Sequence, residues 1–208
     1  MKKLGLLLGL LLLLSLFTGC GSSAAPIDEA LVGTWQWTNH VEWEYVLESD
    51  GTGTRDGEEI RWTAEDGIVT FTDAAEIESR WEYEIDGNLL ILTGATMSFY
   101  YIHAETTPTF TNNPPLLGVW ANLRNSADLF VFEPDGTGAM GTEASPIAWW
   151  ITPNNILLVD NANMERTVMV LSYEIEAEVL TLTAHQIEDR WEFQWLGEDL
   201  DSIVSPTG

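Results

Sequence analysis

Positively charged side chains are scarce in this chain. Its 208 residues include eight lysines and arginines against 33 aspartates and glutamates, which gives a formal net charge of −25 at pH 7. Both lysines stand at the extreme N-terminus, so the rest of the chain has only arginine as a cation. Such an acidic surface repels phosphate backbones and anionic lipid headgroups, which excludes nucleic acid as a partner. The acidity has three open explanations: solubility, adaptation to high salt, and recruitment of cations or a basic partner.

Residues for covalent chemistry and metal binding are also few. Cys20 is the only cysteine, so this sequence offers no internal disulfide. The histidines, His40, His103 and His185, do not have the spacing of metal ligands, and no nucleophile motif or phosphate-binding loop is present. We therefore expect a protein that is not an enzyme and that uses no cofactor and no metal.

The only long hydrophobic run lies at the N-terminus. Residues 4–17 are mostly leucine and follow a pair of lysines. The run is shorter than the about 20 residues of a membrane span and is typical of a secretory signal. It leads into Phe-Thr-Gly-Cys, ending at Cys20, which resembles the lipobox of bacterial lipoproteins. The resemblance implies a signal peptide over 1–19, a lipidated Cys20 with a short tether over 20–30, and an extracytoplasmic, membrane-anchored place in the bacterial cell envelope.

The remainder of the chain contains two copies of one unit. LVGTW and VLESDGTG in the first copy return 85 residues later as LLGVW and VFEPDGTG. Farther along, Trp62 matches Trp150 at a shift of 88 residues, and a Tyr-Glu-Ile segment recurs at a shift of 90. The shift changes only between hydrophobic runs, where insertions are tolerated. This pattern indicates a duplicated fold.

The copies set the expected domain boundaries. The first repeat spans 31–103 and the second spans 116–197. Between them, 104–115 is rich in threonine, proline and asparagine, and a tail follows over 198–208. Such a linker favours two separate domains over one barrel built from both halves.

Apolar and charged residues alternate with a period of two, which predicts β-strands. In RWEYEI at 80–85, aromatic or aliphatic residues alternate with charged ones, as in a half-buried antiparallel strand. Asp50-Gly51 and Asp135-Gly136 each separate two extended runs and predict hairpin turns, in preference to weak calcium sites. About six or seven short strands per copy predict an all-β fold of two tandem small antiparallel barrels or sandwiches.

These motifs also carry a family resemblance. Gly33 with Trp35, and Gly118 with Trp120, form a Gly-x-Trp pair at the start of each β meander. Together with the DGTG hairpin, this resembles the lipocalin-like domains of bacterial lipoproteins. The resemblance implies small barrels of lipocalin type, although each copy is much shorter than a large lipocalin.

The tryptophans divide into two groups. Those that recur or alternate, including Trp62 and Trp150, are expected in the cores. Trp37, Trp149 and Trp195 have no counterpart in the other copy and are therefore candidates for exposed ligand-binding positions.

The expected function is that of a non-enzymatic binding module, tethered to a membrane by Cys20, whose ligand is a small apolar molecule, a glycan or a protein. A structural or accessory lipoprotein that acts only through protein contacts is the first alternative, and an enzyme is the second. An apolar cavity inside a barrel would favour a small ligand, whereas filled cores with an exposed aromatic patch would favour surface contacts.

Overall fold

The computed structural model describes residues 26–105, 114–161, 167–187 and 189–198. The predicted signal, Cys20, most of the linker and nearly all of the tail lie outside these ranges. No helix within the described ranges has the length and apolar character needed to cross a membrane. Strands dominate, and the helical segments of this part are two 3-10 turns, Glu29–Leu31 and Pro114–Leu116.

The first repeat forms a closed antiparallel barrel, barrel 1, in which each strand pairs with its sequence neighbours and the last strand returns to the first. Its strands are β1 (Gly33–Trp37), β2 (His40–Leu47), β3 (Thr52–Arg55), β4 (Glu58–Glu65), β5 (Ile68–Asp73), β6 (Glu78–Asp86), β7 (Leu89–Thr93) and β8 (Ser98–His103).

The second repeat forms barrel 2 with the same topology. Its strands are β9 (Gly118–Asn122), β10 (Asn125–Phe132), β11 (Thr137–Gly141), β12 (Ser145–Ile151), β13 (Leu157–Asn161), β14 (Thr167–Glu176), β15 (Val179–Ala184) and β16 (Arg190–Gly197). The predicted all-β fold of two tandem small barrels or sandwiches is confirmed, and both repeats are closed barrels. The predicted strand number was too low, because a short strand such as β3 contains no large apolar residue and shows no alternation.

Inward-facing side chains fill the centre of each barrel. Barrel 1 is packed around Trp35, Leu47, Trp62, Phe71 and Leu92, and barrel 2 around Trp120, Phe132, Trp149, Leu182 and Phe193. Each of these side chains is almost completely buried. Burial of one large apolar side chain contributes about 1.5–3 kcal/mol, so these rings and leucines drive closure of the sheets.

Each 3-10 turn is tied to one end of its barrel by the Gly-x-Trp tryptophan. Trp35 Nε1 donates to the carbonyl oxygen of Leu31, and Trp120 Nε1 donates to that of Leu116, both at 2.8 Å. Successive hairpins alternate between the two ends, which puts the DGTG turn at the same end as the 3-10 turn. We call this the proximal end of each barrel and the opposite one the distal end.

The structure corrects the alignment of the two repeats around the tryptophan of the fourth strand. Trp62 Nε1 donates to the carbonyl oxygen of Thr52 at 3.1 Å, and Trp149 Nε1 donates to that of Thr137 at 2.9 Å. Trp149 is therefore the counterpart of Trp62, and Trp150 is not. The loop between β11 and β12 makes this hairpin two residues longer than its counterpart between β3 and β4.

The two barrels share a buried apolar interface between the outer faces of their strands. Trp150 points out of barrel 2 into this interface, and its Nε1 donates to Asn88 Oδ1 of barrel 1 at 3.0 Å. The buried cluster consists of Leu89, Tyr100, Trp150, Leu158, Val168 and Val170. Each barrel closes on itself, as the composition of the linker predicted. The outer faces that meet at the interface are nevertheless buried and not exposed to solvent.

Several polar groups of the interface are paired across it. The buried carboxylate of Asp86 accepts hydrogen bonds from the Thr152 hydroxyl and, at 2.9 Å, from the backbone N–H of Asn154. The backbone N–H of Val168 donates to the carbonyl oxygen of Thr38 at 2.8 Å. Because buried polar groups are costly when left unpaired, these bonds select one arrangement of the two barrels.

Candidate functional site

The distal end of barrel 1 carries a cluster of stacked aromatic rings that includes the sequence candidate Trp37. The ring centroids of Trp37 and Trp43 are 5.3 Å apart, and those of Trp43 and His40 are 5.7 Å apart, with nearly parallel planes in both pairs. Phe99 lies 6.1 Å from Trp37, and Trp81 lies 5.4 Å from Phe99. We call these five residues the aromatic platform. Trp43 is 53 % exposed, so the platform presents an indole ring to solvent.

The local sequence explains why these rings meet. β1 and β2 are joined by Thr38 and Asn39, and Trp37 pairs with His40 across this tight connection. A register shift follows Gln36, at the point where the strand reaches the barrel rim. Trp37 has the same inward alternation as the core residue Trp35 but lies at the end opposite the 3-10 turn, which leaves it only partly buried.

The platform stands on a filled interior. Tyr45 stacks on Phe71 with centroids 4.5 Å apart, and Tyr101 meets Tyr45 edge-on at 5.4 Å. Burial raises the pKa of Tyr45, against the opposing effect of a hydrogen bond from Arg55, and burial likewise raises the pKa of Tyr101. Both phenols therefore stay neutral at physiological pH, and the base of the platform carries no phenolate charge.

Trp195, the second sequence candidate, lies at the proximal end of barrel 2 beside a cavity of about 740 Å³. It pairs with Trp120 across β16 and β9 and is partly buried. The described lining of the cavity combines apolar side chains with carboxylates: Leu117, Trp120, Phe132, Glu133, Ile175, Glu178, Trp195 and Glu198.

Trp149, the third candidate, is a core residue. It is 2 % exposed, and its ring packs edge-on against Phe132 with centroids 5.2 Å apart. As the counterpart of Trp62 it is not unique to the second copy, which removes the reason for proposing it as a ligand-binding residue. The structure thus places Trp37 and Trp195 in different barrels and leaves Trp149 out of both sites.

Asp50 and Asp135 stabilise the DGTG turns. The Asp50 carboxylate accepts the backbone N–H of Thr52 at 2.9 Å and its hydroxyl at 2.6 Å, and Asp135 makes the same pair of bonds with Thr137. The hydroxyl bond, aided by the N–H bond, lowers the pKa of each carboxyl. The turn prediction for these positions is confirmed.

The Gly-x-Trp glycines lie where a side chain would not fit. A Cβ on Gly33 would collide with the ring of His103, and one on Gly118 would collide with the carbonyl oxygen of Gly197. These glycines therefore let the last strand of each barrel approach the first one closely.

The histidines lie in three separate surroundings. His40 belongs to the platform, His103 meets Trp35 edge-on at 4.8 Å, and His185 meets Tyr100 edge-on at 5.7 Å. Burial lowers the pKa of His185. In the described parts of the chain, no three histidine, cysteine or acidic side chains are grouped as metal ligands would be.

Sequence reasoning missed His40, Trp43, Trp81 and Phe99 as members of the platform. The available signal was the spacing of Trp37, His40 and Trp43 around a two-residue connection, which brings rings from both strands to one rim. Phe99 gave no local signal, because its place beside Trp37 depends on closure of the barrel by β8.

No protein-family model matches this chain, and no curated protein matches it.

Proposed function

We propose that the protein is a non-enzymatic, lipid-anchored extracytoplasmic module that binds its partner through the aromatic platform of barrel 1. The observation that carries the proposal is the stack of His40, Trp43 and Trp37, in which the exposed Trp43 ring lies between two stacked neighbours. An indole held in this way loses little conformational entropy on binding and offers a flat apolar face. Such a face suits a sugar ring or an apolar side chain of a protein.

The filled cores support contact at the barrel ends. Large side chains occupy the centre of each barrel, from Trp35 and Trp62 in barrel 1 to Trp149 and Phe193 in barrel 2. A ligand of drug size needs a cavity of about 300–1,000 Å³, which these packed centres do not leave. The proposal therefore favours a glycan or protein partner over a small apolar ligand held in the middle of a barrel.

The anchor is supported by the sequence alone. Cys20 lies outside the described residues, and barrel 1 begins shortly after it, so a lipidated cysteine would hold the module close to the membrane surface. Incorporation of a fatty-acid label that Cys20→Ser abolishes, together with loss of membrane association, tests this part of the proposal.

A structural or accessory lipoprotein that works only through protein contacts is the second candidate. The interface around Trp150 favours it, because two barrels joined by a buried cluster form a single scaffold. An enzyme is the candidate with the least support, since His40, His103 and His185 lie apart.

Trp43→Ala separates these candidates. We expect it to weaken retention on immobilised envelope polysaccharides or solubilised envelope proteins by more than tenfold, because truncation of a central tryptophan costs about 2 kcal/mol or more. Leu123→Ala is the matched control, since Leu123 is 54 % exposed but lies on barrel 2. Retention of Trp43→Ala equal to that of the unmodified chain would refute the platform as the binding surface and favour the scaffold.

A further inference from the structure

The proximal cavity of barrel 2 has the size and lining of a ligand site. Its volume of about 740 Å³ lies within the about 300–1,000 Å³ of pockets that hold small molecules. Phe132 and Ile175 face it together with Trp120 and Trp195, which are cross-strand partners. Because Trp120 Nε1 already donates to the carbonyl oxygen of Leu116, this indole offers the cavity apolar surface and no free donor.

Carboxylates surround this apolar interior. Glu133, Glu178 and Glu198 come from three separate turns or strand ends and all line the cavity. The described lining contains no arginine or lysine, and Arg124 and Arg190 of barrel 2 line a different pocket, at the distal end. The cavity therefore combines negative charge with aromatic rings, and both attract a cation.

Backbone hydrogen bonds fix the cavity walls. The N–H of Trp195 donates to the carbonyl oxygen of Glu178 at 2.9 Å, which holds the β14–β15 turn against β16. The N–H of Glu133 donates to the carbonyl oxygen of Thr137 at 2.9 Å and fixes the β10–β11 turn. A site built in this way needs little rearrangement on binding.

The equivalent end of barrel 1 is occupied by its own chain. The Tyr83 hydroxyl donates to Asp28 Oδ2 at 2.6 Å, and Ala64 N–H donates to the carbonyl oxygen of Pro26 at 2.8 Å, so the segment before the 3-10 turn covers that end. The proximal end of barrel 1 is therefore not open to a ligand.

We infer that the proximal cavity of barrel 2 binds a small apolar cation, such as an aryl or alkyl ammonium compound. The rings supply cation–π attraction and apolar contact, and the three glutamates select positive charge. An anion of the same shape is repelled by the glutamates and by the net charge of the whole chain. This site is independent of the aromatic platform, so each can fail without the other.

Titration of the full chain with benzyltrimethylammonium tests the inference, with benzylsulfonate as the probe of reversed charge. We expect saturable shifts of the Trp195 indole N–H resonance, identified with Trp195→Phe, at millimolar cation and none with the anion. We expect cation binding to weaken by about tenfold or more at low ionic strength, where screening is weak, in the triple variant Glu133→Gln, Glu178→Gln and Glu198→Gln.

The matched control removes the same charge elsewhere, by combining Glu58→Gln, Glu65→Gln and Glu82→Gln on barrel 1. It should change the affinity less than twofold. The inference is overturned if the cation produces no saturable shift at Trp195, if the anion binds equally well, or if both triple variants weaken binding to the same extent. Folding of each variant is checked by its dispersed amide spectrum, so that loss of structure is not read as loss of affinity.

Discussion

At the scale of single residues, the two glycines of each DGTG turn have different tasks. Gly51 and Gly136 have φ values of +83° and +82°, in the left-handed region that the turn requires. Gly53 and Gly138 are extended, but a Cβ on either would collide with the carbonyl oxygen of a residue on the neighbouring strand. Glycine is needed at the first position because of its positive φ, and at the second because there is no room for a Cβ.

Gly53→Ala should therefore destabilise the protein although alanine is tolerated in extended backbone. The added methyl group meets the carbonyl oxygen of Val46, which is backbone and cannot move aside, so we expect a loss of about 2 kcal/mol in the free energy of unfolding. Chemical denaturation measures it. Thr54→Ala, one position along the same strand, serves as the control and should change stability by less than about 0.5 kcal/mol. Equal stability of Gly53→Ala and the unmodified chain would show that the strand can shift.

At the scale of elements, the segment that leads into the first 3-10 turn is fastened to β6 by one charged hydrogen bond. The Tyr83 hydroxyl donates to Asp28 at 2.6 Å. This bond is the main cause of the lowered pKa of Asp28. Burial, followed by the same bond, raises the pKa of Tyr83 from 10.0 to about 12. The hydrogen bond is therefore strongest at pH values between the pKa of Asp28 and that of Tyr83.

Both shifts give stability a defined pH dependence. The contribution of Asp28 is present above its ordinary pKa of 3.8 and is lost as the pH falls through the lower folded value. The contribution of Tyr83 is complete below pH 10.0 and is lost as the pH rises through about 12.

Tyr83→Phe should remove the contribution of Tyr83 and reduce that of Asp28, which keeps its hydrogen bond from the Ala30 N–H. The stability difference between the unmodified chain and the variant is expected to be greatest between about pH 5 and 9 and to shrink at either extreme. Tyr173→Phe is the control, because the Tyr173 hydroxyl donates to Asn155, an uncharged partner, at 2.6 Å. A difference for Tyr83→Phe that does not change with pH would contradict the assignment.

At the scale of the whole molecule, the interface makes the two barrels thermodynamically dependent on each other. Trp150 fills it, and its indole N–H is paired with Asn88 across the boundary. Asp86 adds a buried carboxylate whose partners, Thr152 and Asn154, belong to the other barrel. Loss of the apolar contact would leave these polar groups partly unpaired.

Trp150→Ala should uncouple the barrels. Truncation of a buried tryptophan costs about 3–5 kcal/mol, and most of that loss falls on the interface and not on either barrel core. We expect calorimetry to resolve two unfolding transitions in the variant, whereas the unmodified chain unfolds in one. Trp43→Ala keeps the interface intact and should retain the single transition. A single transition in Trp150→Ala at a slightly lower temperature would indicate that the barrels are coupled through other contacts.

Much of the fold could be predicted because its signals are local. Alternation along strands such as β6, the positive-φ glycines Gly51 and Gly136, and the recurrence of Trp35 as Trp120 each act within a few residues. Together they predicted an all-β chain of two repeats with the same design, each a small barrel or sandwich. They also placed Trp37 and Trp195 outside the repeated core set, and both lie at the rim of a candidate site.

The tertiary structure decided what depends on register and closure. Trp149 and Trp150 are adjacent, and a shift of one residue in a strand exchanges inward and outward faces, so only the pairing of β11 with β12 showed which one is buried in the core. The platform likewise needs β8 to return to β1, and the interface needs the outer faces of two barrels. Sequence determined which residues alternate, whereas three-dimensional closure determined which of them meet, because those contacts join strands far apart in the chain.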